Sequence, residues 1–313
     1  MTATIHTNQF TFVPTDCMLC GAADSRPRYT IEKYKQGALH FVVCNRCGTV
    51  YQDPMPDGKA MQAFYHSQSF FNAKATADML TGYRDYDAEE QTRQRNARKR
   101  LDEVERLFPP GRTLRILKVA CGYGALVALA RQRGHDAEGI DYSAVMVDGA
   151  RKRYGIDLIQ ADFLAYDFGP RRYDVVLLYG AINNFPRPLD VAGKALQLLE
   201  PGGFYIVNHV WTGSLPERLL RHRYWIYRPP IIGLYRRRAF ESHHVQLGFQ
   251  LYRSKYDVQY LTLDKLFGYL QSRPLVGLAQ MLRIDRVGCT IPVPGYARVF
   301  LRKPEIGVER VPG

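Results

Sequence analysis

Acidic residues are scarce in this 313-residue chain: 30 Asp and Glu stand against 43 Lys and Arg, a formal charge of +13 with a pI near 9.5. That balance excludes an acidic disordered chain and makes an anionic partner the first expectation. Long apolar runs are also missing. No uncharged apolar stretch approaches the roughly 18 residues a membrane-spanning helix needs. The opening MTATIHTNQFTFVP lacks a basic n-region followed by an apolar h-region, so no secretory signal is expected. Six cysteines are too few for a disulfide scaffold in a chain of this length. Four of them fall in a metal pattern, and persistent thiolates suit a reducing compartment, so the expected location is cytoplasmic. Internal repeats and low-complexity tracts are absent as well. What remains is ordinary for a soluble globular protein, with 46% hydrophobic and 23% charged residues. The length suggests two domains, or one with appendages.

The charge is uneven. Residues 201–313 hold 17 Lys/Arg against 7 Asp/Glu, so most of the excess belongs to the C-terminal third.

The first unit is expected over residues 1–57. Cys17-Met-Leu-Cys20 is followed, after 23 residues, by Cys44-Asn-Arg-Cys47. Each CxxC can sit on a tight turn that aims two thiolates at one ion, and four thiolates suit tetrahedral Zn²⁺. A closed set of four cysteines leaves no open position, so such a zinc is structural. Between the pairs, RPRYTIEKYK and ALHFVVC read as two strands around a Gln36-Gly37 turn. The extended TVYQDPMP then leads into a linker, and residues 58–112 read as helical. Leu101, Val104, Leu107 and Phe108 fall at helical spacing, the basic run at 93–100 reads as a solvated helix face, and Pro109-Pro110-Gly111 ends the element.

From residue 113 strands alternate with apolar-periodic helices. The strands read as 115–120, 137–142, 157–163, 174–180 and 203–210, an alternation that argues for an open, mostly parallel sheet covered on both faces. After Val210 the rhythm breaks. Residues 211–247 mix aromatics with arginines and are expected as a basic cap inserted near the ligand site. Two late strands (249–258 and 297–304) flank a helix at 261–272.

Ligands in such sheets bind beyond the carboxyl ends of the strands. Val119-Ala120-Cys121-Gly122-Tyr123-Gly124 follows an apolar strand and opens a helix; its glycines permit close approach of backbone to a ligand. Asp141 ends the next strand, about 20 residues on, where a carboxylate can accept hydrogen bonds from a ribose diol. Asp162-Phe163 ends the third and could meet an amino group and a flat base.

These stretches, VACGYG, GIDYS and ADF, together with YDVVLLYGAINNFPRPLDVAGKALQLLEPGGFYIV, resemble the class I S-adenosylmethionine (SAM)-dependent methyltransferases. The Cys44–Tyr51 phrase with Pro54 and Pro56, then Phe64-Tyr65 and Phe70-Phe71, is similar to a narrower group. Those are methyltransferases with an N-terminal zinc ribbon, common in glycan and secondary-metabolite pathways. The resemblance implies an α/β, Rossmann-like, mostly parallel seven-stranded sheet with a small zinc ribbon. It implies that Gly122 and Gly124, with Ala120 and Cys121 in the same loop, line the methionine and ribose of SAM. Asp141, beside Tyr142, would hold the ribose hydroxyls, Asp162 and Phe163 would meet adenine, and Tyr179 would lie near the transferred methyl.

Two departures stand out. Lys118 occupies a position where the family usually carries an acid, and Ala120 replaces a first glycine, tolerable if its φ is negative. Asn183-Asn184 stand where relatives often carry Glu-His. His209 is the base candidate best placed by chain order, with Tyr179, Asn183 and Asn184 positioning the acceptor. The expected reaction is O- or C-methylation of a small acceptor, anionic or sugar-linked; a nucleotide-linked sugar and a lipid-linked glycan are the candidates, with peripheral membrane contact through the basic cap. Two alternatives stay open: a catalytically altered SAM-binding relative acting as a scaffold, and a tRNA or rRNA methyltransferase. Against nucleic acid stand the missing Asn/Asp-Pro-Pro-aromatic phrase after the fourth strand and the missing Pro-Cys nucleophile.

Overall fold

Short apolar runs rich in Val, Ile and Leu, several of them followed by an amphipathic helix, build the sheet that dominates the computed structural model. Residues 5–7, 10–32, 38–59, 61, 65, 86–269, 273–284 and 286–305 are described. In chain order the strands are β1 (Ile5–Thr7), β2 (Phe10–Val13), β3 (Ser25–Ile31), β4 (Leu39–Cys44), β5 (Val50–Gln52), β6 (Met55–Pro56), β7 (Arg115–Val119), β8 (Asp136–Asp141), β9 (Ile159–Gln160), β10 (Tyr173–Leu178), β11 (Leu199–Val210), β12 (Gly233–Leu234), β13 (Gln250–Thr262) and β14 (Gly288–Arg302). The helices are α1 (Glu90–Glu105), α2 (Ala125–Gln132), α3 (Ala144–Tyr154), α4 (Pro188–Leu198), α5 (Leu215–Leu220), α6 (Arg237–Gln246), α7 (Leu263–Tyr269) and α8 (Arg273–Met281). Among the described residues no helix is long and apolar enough to cross a membrane.

The expected seven-stranded sheet is present, in the order β13-β14-β11-β10-β7-β8-β9. The neighbours β11-β10-β7-β8-β9 all pair in parallel. Central β10, YDVVLL, is buried at every position, as a parallel strand covered on both faces must be. The late strands are longer than expected, and the helix anticipated at 261–272 begins at Leu263, with residues 270–272 outside the described residues.

The chain forms two compact units. One comprises Ala97–His209, Arg237–Lys255 and Arg298–Gly313. Its core gathers Ile116, Val175, Leu177, Phe204, Ile206 and Phe300 from the strands with Ala97, Leu101 and Val104 from α1. The last three recur at i, i+4 and i+7, which gives α1 one buried face. Arg95, Arg98 and Lys99 stay exposed, as expected of a solvated basic run. The opposite face of β11 turns Tyr205 and His209 toward α6, where Tyr205 stacks on His244 and His209 on Phe240.

The other unit comprises Met1–Asn96, Val210–Arg236 and Tyr256–Ala297. This grouping differs from the linear division at residues 57 and 112. Strands β3, β4 and β5 form an antiparallel sheet that β12 extends, with Gly233 opposite Tyr51 and Leu234 opposite Val50. Residues 211–236 of the cap expected at 211–247 therefore belong with the β3-β4-β5 sheet, while α6 belongs to the sheet unit. Tyr224, Trp225, Ile226, Tyr227, Ile231 and Leu234 pack with Ile31, Phe41, Val43 and Val50. The reason is size: a ribbon of fewer than 60 residues buries too little apolar surface by itself. The Gln36-Gly37 turn, most of the segment 58–85 and the phenylalanines at 64, 70 and 71 lie outside the described residues.

Glu217 locks the segment in place. Its side chain is 0% exposed and accepts hydrogen bonds from Arg28 Nη2 (2.6 Å), Tyr227 Oη (2.5 Å) and the Gly213 N–H. Burial works against its charge, but the bonds from Tyr227, Gly213 and Arg28 outweigh burial and hold the carboxyl below the usual range. A lowered folded-state value stabilises the fold at neutral pH, and that stabilisation fades as pH falls through the ordinary glutamate range. Glu217→Ala is expected to cost roughly 3–5 kcal/mol in denaturant unfolding, because it strands the Arg28 and Tyr227 donors. A loss below about 0.5 kcal/mol would show that this network does not hold the segment.

Candidate metal centre and cofactor loop

Two matching turns carry the four ribbon cysteines. Cys17–Cys20 and Cys44–Cys47 are each followed by a glycine at positive φ, Gly21 at 69° and Gly48 at 72°. Gly21 N–H donates to the Cys17 carbonyl (2.8 Å) and Gly48 N–H to that of Cys44 (2.9 Å). Arg236 lies across Gly48, where a Cβ would collide with it. The four Sγ atoms lie within 4.8 Å of one another, with 3.5 Å between Cys17 and Cys47 and 3.6 Å between Cys20 and Cys44. A tetrahedral ZnS₄ centre with 2.3 Å bonds sets sulfurs about 3.8 Å apart, so the set fits zinc in number, chemistry and spacing. The hydrogen bond from Cys17 pulls the Cys47 thiol down to about 4, while that bond and burial push Cys17 up.

In the sheet unit, β7 ends in a sharp turn. Ala120 takes φ 49°, Gly122 57° and Gly124 77°. The left-handed value at Ala120, where a negative one was the condition for easy tolerance, costs on the order of 1 kcal/mol for a residue with a Cβ. Lys118 supports the turn: its Nζ donates to the carbonyls of Val119 (2.5 Å) and Ala120 (3.1 Å). A carboxylate at this position could not bond to those oxygens. Gly122 N–H donates to Asp141 Oδ2 (2.8 Å), and Ser143 N–H to Asp141 Oδ1 (3.0 Å). Burial raises the Asp141 carboxyl against these bonds. Ser143, at the start of α3, keeps a buried hydroxyl with no partner among the described residues. An oriented carboxylate beside an unpaired hydroxyl and a glycine turn fits a polyhydroxylated ligand such as the ribose of SAM.

The remaining loop residues divide. The Cys121 thiol packs toward Gly139, where a Cβ would meet its Sγ, so only its backbone faces the turn. Gly124 serves packing as well, since a Cβ there would press on Ile156. Tyr142 is half-buried. Asp162 is exposed and accepts from Leu164 N–H (2.8 Å). The Phe163 ring is buried edge-on against Phe168 at 5.9 Å, so it is committed to packing instead of offering a face for a base.

At the carboxyl ends of the strands, side-chain parity decides what meets. Tyr179 follows β10 on the same face as Val175 and Leu177, and three cations surround its ring. Arg100 Cζ lies 4.3 Å from the centroid, Arg298 Cζ 5.5 Å and Lys118 Nζ 5.8 Å. Arg298 and Lys255 are both paired with Glu103. Arg100 thus departs from the solvated run to which its sequence neighbours belong. Asn208, buried, accepts the Gly180 N–H (2.6 Å) and fixes the loop bearing Asn183, buried, and Asn184, half-buried. His209 is one residue further on and so on the opposite face, 0% exposed and stacked on Phe240 at 4.2 Å. The structure does not bring His209 to Tyr179, which corrects its expected place as base. Arg100, Arg298, Ser143 and Asn208 were missed. The alternation of β11 could have separated Asn208 from His209, but nothing local marks Arg100 or Arg298.

Residues 116–203 match the family described as "Methyltransferase domain". The malonyl-[acyl-carrier protein] O-methyltransferase of Enterobacter lignolyticus is 28% identical over 121 residues, 38% of this chain and 48% of that protein. The ubiquinone biosynthesis O-methyltransferase of Leptothrix cholodnii is 29% identical over 119 residues, 36% and 50%. The chain therefore spans about half the length of these curated relatives. The solved structure of magnesium protoporphyrin IX methyltransferase from Synechocystis PCC 6803, with bound SAH, gives a TM-score of 0.51 at 13% identity, covering 79% of this chain and 100% of that one. That likeness is one of fold. Residues 116–203 thus match a methyltransferase domain, and the sheet order, the glycine turn and the Asp141 clamp are compatible with that match.

Proposed function

We propose that the whole chain is a SAM-dependent methyltransferase acting on a small anionic acceptor at oxygen or carbon, with a structural zinc in its ribbon. The observation that carries the reading is the Asp141 carboxylate, held by Gly122 and Ser143 N–H groups at the end of β8. Asp141 would hold the ribose hydroxyls beside Tyr142. The backbone of Ala120, Cys121, Gly122 and Gly124 would line the methionine and ribose. Asp162, with the backbone of Phe163, would meet the adenine.

Bound SAM supplies an electrophilic methyl carried on a sulfonium; the protein's own contribution is alignment of the acceptor and exclusion of water. Tyr179 offers a ring floor, and Asn183 and Asn184 lie on the loop that Asn208 anchors. Arg100, Lys118 and Arg298 concentrate positive charge around that ring, which supports an acceptor bearing phosphate or carboxylate. A nucleotide-linked sugar and a lipid-linked glycan both satisfy that chemistry. All six cysteines are free, in keeping with a reducing, cytoplasmic setting. The second reading, a SAM-binding scaffold without turnover, draws on Lys118 standing where an acid is usual; it separates from the first by cofactor binding without methyl transfer.

SAM and SAH are each expected to raise the melting temperature, and Asp141→Ala to remove most of that rise. Absence of any shift with either ligand would sink the methyltransferase reading. Burial pushes Lys118 down to about 8, so it is charged at neutral pH and loses its proton as pH rises through that value. The KM for an anionic acceptor is therefore expected to climb above about pH 8, and Lys118→Met to flatten the climb while raising KM at neutral pH about tenfold. A wild-type KM that stays level across this range would exclude Lys118 from acceptor binding. Elemental analysis should find one zinc per chain, and stripping it should expose four ribbon thiols to a thiol reagent; fully folded, zinc-free protein would refute the structural metal.

A further inference from the structure

Helix α8 is built inside out. Leu275, Leu278 and Leu282 recur at i, i+3 and i+7, the spacing of a core-facing stripe, yet all three are exposed, as are Met281 (72%), Ile284 and Val287 (58%). Among the described side chains of this helix the buried one is the small Ala279. Single exposed apolar side chains are common on soluble proteins. Six between residues 275 and 287 form a concentrated patch of the kind that marks a contact surface. Two exposed arginines, Arg283 and Arg286, sit in the turn that ends the stripe. The same unit repeats the chemistry on α5, where Leu215 and Leu219 are exposed at i and i+4 beside exposed Arg218 and Arg221.

We propose that α8 and the turn after it seat this protein on an anionic lipid bilayer. The apolar side chains would enter the boundary between headgroups and acyl chains, with the helix lying in the plane of the interface; nine residues are far short of a span. Arg283 and Arg286 have stems long enough to keep the guanidinium at the level of the lipid phosphates, which they can bond in bidentate fashion. The net charge of +13 adds a longer-range attraction to such a surface. A second copy of the chain is the poorer occupant. A two-fold contact through this patch would bring Arg283 and Arg286 toward their own counterparts, with Asp285, outside the described residues, the one acid in the sequence from 275 to 287. The inference concerns a different element from the acceptor site and stands apart from the reading of that site.

The test is cosedimentation of the full chain with vesicles of phosphatidylcholine alone and of phosphatidylcholine with phosphatidylglycerol. The expected result is binding to the anionic vesicles, weakened by salt, and little to the neutral ones. Arg283→Gln and Arg286→Gln should each lower the partition coefficient about fivefold. Met281→Glu combined with Leu282→Glu should abolish binding, with melting temperature and zinc content unchanged, since both positions are exposed. Three results would overturn the proposal: no binding to either vesicle, equal binding to both, or wild-type binding by the Glu pair. A dimer in sedimentation velocity that the Glu pair splits, with no vesicle binding, would assign the patch to self-association.

Discussion

The two-residue period of a strand governs this molecule's chemistry more than any single bond. In a parallel sheet with both faces covered, every side chain is committed to one layer, and a shift of one residue exchanges layers completely. On one layer the carboxyl ends of the strands assemble Lys118, Tyr179 and Asn208, with Arg100 and Arg298 closing around the tyrosine ring. On the other, Tyr205 and His209 meet the aromatic side of α6. Asn208 and His209 are adjacent in sequence yet take unrelated roles, the first anchoring a loop beside the site and the second filling a core.

The same sheet explains how a lysine can stand where an acid is usual. The turn after β7 needs its carbonyls restrained because Ala120 is held at a left-handed φ. A carboxylate can organise N–H groups but not carbonyl oxygens. Here Asp141 collects the N–H groups and Lys118 the carbonyls, so the turn is clamped from both sides by opposite charges. The departure at Lys118 therefore has a local structural purpose in addition to any role toward an anionic acceptor.

The parts that were legible in the sequence were those that depend on local pattern. Alternating strands and helices gave the sheet, paired CxxC turns gave the thiolate cluster, and an acid about 20 residues beyond the glycines gave Asp141. What escaped depended on long-range packing. The aromatic-rich segment after Val210 carries arginines and tyrosines, a composition shared by ligand caps and by small cores; its actual partner is the ribbon sheet, 160 or more residues earlier in the chain, and composition cannot choose between the two. Arg100 lies within a basic run in which Arg95, Arg98 and Lys99 are solvated, and Arg298 is one of two arginines on a late strand. Only the closed sheet reveals that both converge on one ring. Phe163 was read as a stacking face because it follows an acid at a strand end, but its ring found Phe168 first.

The recruitment of residues 210–236 into the ribbon sheet also sets the order in which the chain can fold as it leaves the ribosome. The cysteines emerge first and can gather a metal early, within two short turns. The apolar side chains that complete the core around β4 and β5 are not synthesised until the chain has passed through the five parallel strands of the large sheet. The first unit to begin is thus among the last to finish.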